Sequence, residues 1–278
     1  MNKLFIYKNK RKEMLLLIPF VFLTLLFIII PMIMVFIRSL TPTNSGTISE
    51  NWNFIDYHIW EKILLTLGVA IATTIICLVV GYIFAYFLSL SKKKVYKILS
   101  ISLITSPIWM SMLMKLVGLK TLFDYMNGSP NSTYGNIYTI IALVYINLPL
   151  FILTIYNFLD SVPKNLVDAS KDLGKNVFQT FFFIIVPYTK NAIISGLSLV
   201  FFSSFTAAGV SKFVNNSNDG DLIGGEILDQ GQMAPISPIA MARVSALALT
   251  LSIFMLTLYL VFLIGRKIYK KTMLKRGD

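Results

Sequence analysis

The run ILLTLGVAIATTIICLVVGYIFAYFLSL occupies residues 63–90 and contains no charged side chain. A helix needs about 20 mostly apolar residues to cross the roughly 30 Å hydrocarbon core of a bilayer. This run is long enough, and it lacks the alternating apolar and polar residues that are typical of a membrane β-strand. The sequence therefore predicts a transmembrane α-helix over residues 63–90.

Other stretches of the chain meet the same requirement of length and apolarity. Together with the first they give six predicted spans, which cover residues 14–37, 63–90, 98–123, 137–159, 191–211 and 244–265. The third contains Lys115, whose ammonium group must face protein or reach toward the interface. The first is longer than the apolar region of a signal peptide, about 7–15 residues, and is predicted to be a retained anchor. We predict an all-α membrane protein with six transmembrane helices.

The composition excludes several classes of protein. Of the 278 residues, 56% are hydrophobic and 14% are charged, whereas a soluble domain has about 25% charged residues. A soluble enzyme, a disordered tail and a collagen-like fibre are therefore excluded. The single Cys77 cannot form an intrachain disulfide, and with the single His58 it leaves no metal cluster of the usual spacing. We predict no metal and no cofactor.

The net charge of +12 is distributed unevenly along the chain. Nineteen of the 25 Lys and Arg residues fall in the N-terminal segment, in the second and fourth connections and in the C-terminal segment. Because Lys and Arg are enriched in cytoplasmic loops, both termini are predicted to be cytoplasmic, in a multi-pass protein of the cell membrane. The excess charge therefore indicates topology and not nucleic-acid binding.

The fourth connection, residues 160–190, reads DSVPKNLVDASKDLGKNVFQTFFFIIVPYTK. Ser161 suits the N-cap of a helix, and Pro163 suits its first turn. Gly174 suits the left-handed conformation that commonly ends a helix. The connection is predicted to contain a short helix, a glycine turn and a second helix that enters the membrane.

An apolar stripe runs along this otherwise charged short helix. It consists of Leu166, then Ala169 or Ser170, and then Leu173, at helical spacing. Such a stripe either lies in the groove of a partner or packs against the helix bundle of its own chain. The pattern alone leaves both interpretations open.

The same connection resembles the EAA motif of ABC importer permeases, which reads EAA, three residues, Gly, nine residues and I-x-L-P. Here the motif is Asp168-Ala169-Ser170, then Gly174, then IIVP ending at Pro187, with both spacings kept. Asp replaces Glu, Ser replaces the second Ala, and Val replaces Leu. The resemblance implies the type I importer permease (MetI-like) fold with a cytoplasmic coupling helix that docks on an ATPase. The residues to which it gives this role are Asp168, Ala169, Ser170, Leu173, Gly174 and Pro187.

The likeness extends beyond this motif. Residues 64–89, 106–123, 144–174 and 222–230 are similar to the B-subunit permeases of spermidine/putrescine importers. The resemblance implies half of a translocation pore for polyamines, paired with a second homologous permease, a cytosolic ATPase dimer and an extracytoplasmic substrate-binding protein. The chain has no GxxxxGK[ST] loop, so ATP hydrolysis is assigned to the ATPase partner and not to this chain. Alternatives are a permease for iron or another small cation, a non-transport membrane scaffold and, least favoured, a membrane enzyme.

A polyamine path needs carboxylates, carbonyls or aromatic faces, because a bare cation is costly to move through a medium of low dielectric constant. Trp109, Tyr145 and Asp124 are the candidates on that path. The predicted organisation has three parts. They are an N-terminal basic segment with the first span and an outer loop (1–62), the permease core (63–265, with the coupling loop at 160–190) and a basic cytoplasmic tail (266–278).

Overall fold

The computed structural model describes residues 17–42, 47–127, 132–215 and 222–275. The predicted basic segment before residue 14 lies outside these residues. All the regular structure that the described residues form is helical. The helices are α1 (Leu17–Leu40), α2 (Ile48–Asn53), α3 (Tyr57–Leu90), α4 (Lys94–Thr105), α5 (Met112–Asn127), α6 (Ser132–Asp160), α7 (Lys164–Asp172), α8 (Val177–Phe205), α9 (Val210–Val214), α10 (Ile223–Met233) and α11 (Pro238–Lys275).

Five helices of the described chain are individually long and apolar enough to cross a membrane. They are α1, α3, α6, α8 and the Pro238–Ile264 part of α11. The all-α membrane fold is therefore confirmed. The predicted start of the second span at residue 63 is late, because α3 begins at Tyr57. The first turns of α3 carry charged residues and are therefore not part of the uncharged run that predicted the span.

The third predicted span is two helices and not one. After α4 the chain forms a 3₁₀ turn over Ser106–Trp109, and Met110 is extended with φ −80° and ψ 142°. The two helical parts, Lys94–Trp109 and Met112–Met126, are bent by 98° and together form a broken sixth span or a re-entrant loop. Pro107 contributes to the change from α4 to the 3₁₀ turn, since it has no N–H for the helix ladder, and the chain leaves helical geometry at Met110.

Two other prolines follow widened turns at the same spacing. A π-helical turn over Leu25–Ile29 precedes Pro31, and another over Phe181–Ile185 precedes Pro187. In both cases the proline is the second residue of the α-helix that follows the π turn. A π turn absorbs the missing N–H and the ring of proline without ending the helix. Both helices therefore continue past their proline.

The described chain divides into two compact units. Of the described residues, the first unit contains 17–42, 47–56 and 229–275, and the second contains 57–127, 132–215 and 222–228. In the first unit, the buried Asn51 amide donates hydrogen bonds to the carbonyl oxygens of Ser39 (3.2 Å) and Thr41 (3.0 Å) and so fixes the end of α1 to α2.

The second unit has its centre where α3, α6 and α8 meet. The ring of Phe151 on α6 is fully buried there. A Cβ atom placed on Gly81 of α3 would lie 2.6 Å from this ring, and one on Gly196 of α8 would lie 2.9 Å from it. Cys77 and Ala85 of α3 are also buried, in the same apolar cluster as Phe151. Small residues at four-residue intervals let helices approach closely. Here they leave the space that the Phe151 ring fills.

Candidate functional site

The short helix α7 and its glycine turn form as a connection between α6 and α8. Pro163 is the N-cap residue of α7, with φ −61° and ψ 126°. The prediction of Ser161 as the N-cap is wrong, because its hydroxyl donates to the carbonyl oxygen of Phe158 at 2.7 Å. Pro163, with φ close to the value its ring imposes and extended ψ, supplies the non-helical geometry that an N-cap requires.

Gly174 ends this helix in the left-handed conformation, with φ +75°. Its N–H donates to the carbonyl oxygen of Lys171 at 2.8 Å, and the N–H of Lys175 donates to that of Ser170 at 3.1 Å. These bonds satisfy carbonyl groups that a helix end leaves free. Asn176 then caps α8 through a reciprocal pair of bonds with Gln179. The predicted sequence of helix, glycine turn and second helix is confirmed.

Ser170 faces the interior of the unit. It is 1% exposed, and its Oγ lies 2.8 Å from Thr180 Oγ1 on α8. The sequence left open whether Ala169 or Ser170 belongs to the apolar stripe, and Ala169 is the exposed one. Ser170 instead fixes α7 to the first turn of α8, so that the two helices hold a defined angle.

Next to Ser170, α7 carries exposed apolar side chains, called here the apolar row and defined as Leu166, Ala169 and Leu173. Leu173 is 79% exposed and Leu166 is 40% exposed. The first turn of α8 adds Phe178, which is 76% exposed. Contiguous exposed apolar surface on a protein marks a site of contact with another molecule.

The same helix also carries an ion pair. Asp168 and Lys171 form an exposed ion pair with 3.5 Å between Oδ1 and Nζ. Such a pair contributes little to stability because solvent screens it. Pro187 lies further along α8, after the π turn, and is exposed. Of the six residues that the motif singles out, Asp168, Ala169, Ser170, Leu173 and Gly174 are thus together, and Pro187 shapes the helix that leads away from them.

The three candidates for the substrate path lie on separate segments. Trp109 is 88% exposed at the bend between α4 and α5, Asp124 lies on α5, and Tyr145 lies on α6. No hydrogen bond or ring contact joins any two of them in the described part of the chain. The buried Oδ1 of Asp124 accepts no hydrogen bond from any described group. An acceptor in that condition is suited to a cationic group.

One polar connection was missed by the sequence analysis. Lys62 on α3 and Glu226 on α10 form an ion pair at 2.8 Å. The N–H of Ile223 at the start of α10 donates to Thr66 Oγ1 at 3.0 Å, and the N–H of Leu222 donates to Ser211 Oγ at 3.2 Å. The partners of these bonds are 11 to 164 residues apart in sequence. Local patterns carry no signal for such distant pairs.

The comparison with protein families decides the identity of this arrangement. A family model described as "Binding-protein-dependent transport system inner membrane component" matches residues 77–275. The chain belongs to this family. It is therefore a permease of an ABC transporter, a transport subunit without enzymatic activity of its own, and a multi-pass protein of the inner membrane. Membership of the family implies an ATPase and a substrate-binding protein as partners.

Individual relatives of this permease are similar over most of its length. It is 34% identical over 268 residues to the spermidine/putrescine transport system permease protein PotB homolog of Mycoplasma pneumoniae, covering 93% of this chain and 94% of the relative. Identity to the corresponding PotB homolog of Mycoplasma genitalium is 33%, with 94% of each chain covered. The PotB protein of Escherichia coli is 32% identical over 186 residues, which are 62% of this chain and 67% of the relative.

A solved structure shares the fold. It is the crystal structure of a bacterial ABC transporter involved in the import of the acidic polysaccharide alginate, with a TM-score of 0.65. The match covers 94% of this chain and 97% of the other, at 14% sequence identity. The likeness therefore extends over the whole helical arrangement, and at this identity it concerns the fold alone.

Proposed function

We propose that this permease forms half of the pore of an ATP-driven importer of polyamines such as spermidine and putrescine. A second homologous permease supplies the other half, and an extracytoplasmic protein delivers the substrate. The names of the relatives that match over more than nine tenths of the chain support this substrate class. The basic segments support an orientation with both termini on the cytoplasmic side.

We further propose that α7 docks into a cleft of a cytosolic ATPase dimer. The observation that carries this proposal is the apolar row, which lies exposed on a helix between two spans. Burying a Leu side chain contributes about 1.5–3 kcal/mol, so Leu166 and Leu173 offer a partner several kcal/mol. Asp168 adds a charge to the same helix, Ser170 fixes the angle of α7, and Gly174 sets the turn. Pro187 directs α8 away from this surface.

We propose that this geometry passes motion from the ATPase to the pore. ATP favours the closed ATPase dimer because it binds that state more tightly. A helix held in each ATPase subunit is carried along as the dimer closes. The turn at Gly174 and the bond between Ser170 and Thr180 then pass that displacement to α8. This chain contributes positioning and a pathway, and no bond of the substrate is made or broken.

We propose that Trp109, Tyr145 and Asp124 contact the substrate. The exposed indole and phenol faces offer cation–π contacts, and the unpartnered oxygen of Asp124 offers a charged acceptor. We expect Trp109→Ala to lower the uptake rate several-fold without loss of assembled complex, because its exposed ring supports no packing. Initial rates of labelled putrescine uptake in proteoliposomes measure this change. Unchanged kinetics would remove Trp109 from the path.

Purification and reconstitution test the proposed function directly. The tagged chain should co-purify with an ATPase and a second six-span protein. In proteoliposomes that contain the substrate-binding protein, putrescine or spermidine should stimulate ATP hydrolysis, and ferric iron should not. Stimulation by iron alone would support the other cation class, and purification of the chain without any ATPase would refute the importer complex.

A further inference from the structure

A cleft of about 710 Å³ lies in the second unit, where the end of α3, the start of α4 and the side of α7 come together. It is called here the lysine cleft, because Lys92, Lys94, Lys97 and Lys171 line it. Two acidic side chains, Asp160 and Asp168, line it as well. Neither the motif nor the family comparison assigns a role to this cleft.

The charges in the lysine cleft do not cancel. Lys97 pairs with Asp160 at 2.7 Å, and Lys171 pairs with Asp168 at 3.5 Å. Each of the two acids is thus paired with one of the four lysines. Lys92 and Lys94 are exposed and form no ion pair with any residue that the structure describes. Two uncompensated ammonium groups therefore face the same concave space, which favours an anionic occupant.

The backbone at the same place adds donors of the same sign. The 12-residue helix α4 begins at Lys94, and its N-cap residue Lys93 supplies no side-chain cap. Its first turn contains no acidic residue. The start of a helix carries partial positive charge and free N–H groups, so lysines there are unfavourable unless an anion is close. A phosphate at the start of α4 would satisfy the N–H groups and the lysines together.

The rest of the lining indicates which kind of molecule bears the phosphate group. Leu90, Leu159 and Ile185 form an apolar wall of the same cleft. Leu90 and Asp160 are the last residues of two helices that are long enough to cross a membrane. The cleft therefore lies at the ends of two predicted spans, and headgroup phosphates and the first methylenes of the acyl chains are found where spans leave a bilayer. Free inorganic phosphate has no apolar part that could contact this wall, whereas a phospholipid has acyl chains that can.

We propose that the lysine cleft binds the phosphate headgroup of an anionic phospholipid of the surrounding membrane. Basic pockets between transmembrane helices on the cytoplasmic side are suited to such headgroups. The proposal rests on the proposed function only for its orientation, which puts this cleft on the cytoplasmic face. Because Val167, Asp168 and Lys171 of α7 line it, a bound headgroup contacts the coupling helix and the ends of two spans at once.

The test compares lipid binding by three forms of the full chain, purified in a non-ionic detergent. The probes are phosphatidylglycerol, phosphatidylcholine with the same acyl chains, and inorganic phosphate, each titrated and measured by native mass spectrometry. Lys92→Gln with Lys94→Gln removes the unpaired charges. Lys93→Gln with Lys190→Gln removes the same net charge from exposed positions outside the lining. All four positions are exposed, so neither pair of substitutions disturbs packing.

We expect the unaltered chain to bind phosphatidylglycerol in preference to phosphatidylcholine. The Lys92 and Lys94 variant should bind it about tenfold or more weakly, since each lysine near an anionic surface contributes about fivefold. The control variant should stay within about twofold of the unaltered chain. Equal affinity for the two lipids, or equal losses in both variants, would overturn the proposal. Displacement of the lipid by inorganic phosphate at comparable concentration would also overturn it in favour of a free-phosphate site.

Uptake of labelled putrescine by the assembled importer, measured separately, distinguishes this inference from the proposed function. Normal uptake with no selective binding of phosphatidylglycerol refutes the lysine cleft alone. Selective binding without uptake of any polyamine refutes the substrate class alone and leaves the lysine cleft supported.

Discussion

Phe151 and Phe178 lie in the same compact unit, but Phe151 lies in its buried centre and Phe178 lies on an exposed surface. Phe151 is fully buried, with its ring against the bare backbones of Gly81 and Gly196. Phe178 in the first turn of α8 is 76% exposed, and Leu173 at the end of α7 is 79% exposed. The centre of the bundle is thus completed by the chain itself. The apolar row is exposed, and we propose that a partner covers it.

This difference separates residues that hold the fold from residues that serve the partner. Fully burying a large apolar side chain contributes about 1.5–3 kcal/mol, and around Phe151 this contribution goes to the unit itself. At the apolar row it remains available for binding. We therefore expect substitutions at the centre to prevent folding of the protein. Substitutions at the apolar row should abolish only its coupling to the ATPase.

The largest expected effect is at the centre. Gly81→Leu should prevent assembly of the helix bundle, because its Cβ alone would lie 2.6 Å from the Phe151 ring. Overpacking of this kind costs about 1–3 kcal/mol or more. Gly68→Leu on the same helix is the control, since no atom lies within 4 Å of its Cβ position. Yield and thermal stability in detergent measure both. Equal stability of the two variants would show that the centre is not close-packed.

The next largest effect is at the apolar row. Leu173→Asp should leave the yield and thermal stability unchanged and reduce uptake to background, because it removes an apolar contact and brings an unpaired charge into the interface. Asn165→Asp adds the same charge to the same exposed helix without removing an apolar side chain. It should keep most of the uptake. If Leu173→Asp transports normally, the row has no role in docking.

The third effect is expected at Gly174, whose role depends on backbone conformation and not on packing. A Cβ on Gly174 meets nothing within 4 Å, but its φ of +75° is strained for a β-branched residue. We expect Gly174→Val to insert normally and to lose about tenfold or more of ATP-driven uptake, since a left-handed residue costs about 1–2 kcal/mol.

Gly174→Asn is the matched variant, because Asn tolerates the left-handed region. It should retain most of the uptake, measured as initial rates in proteoliposomes of equal protein content. Equal losses for Val and Asn at this position would contradict a conformational role.

The smallest expected effect is at the bond between α7 and α8. Ser170→Ala leaves the buried Thr180 hydroxyl without this partner, at a cost of about 1–3 kcal/mol, and should lower uptake several-fold. Adding Thr180→Val should restore part of the loss, because replacing both partners by apolar groups is nearly neutral. Uptake and thermal stability of the two single variants and the double variant measure the coupling. Strictly additive losses would show that the two hydroxyls act independently.

Much of the fold was predictable from local patterns. Uncharged runs predicted the spans, and small residues at four-residue intervals such as Cys77, Gly81 and Ala85 are typical of close helix packing. Gly174 was predicted as a left-handed turn from its place after an amphipathic helix, and its φ agrees. Each of these signals lies within a few residues of the feature that it predicts.

The remainder depends on contacts between distant residues or on the size of a distortion. A proline such as Pro107 interrupts the helix ladder, but no sequence rule gives the 98° bend. The choice between Ala169 and Ser170 required Thr180, ten residues further on. The pair of Lys62 with Glu226 and the lysine cleft join separate helices, so single-sequence periodicity does not contain them.

Site-specific crosslinking tests the central claim, that the apolar row is the surface on which the ATPase docks. Cys77, the only cysteine, is buried and is replaced by Ala. Single cysteines then replace Leu173 on the row or Leu103, which is exposed on α4. A short bifunctional reagent is applied to the assembled complex. We expect an adduct with the ATPase from position 173 and none from position 103. No adduct from position 173 in a complex that contains the ATPase would contradict it.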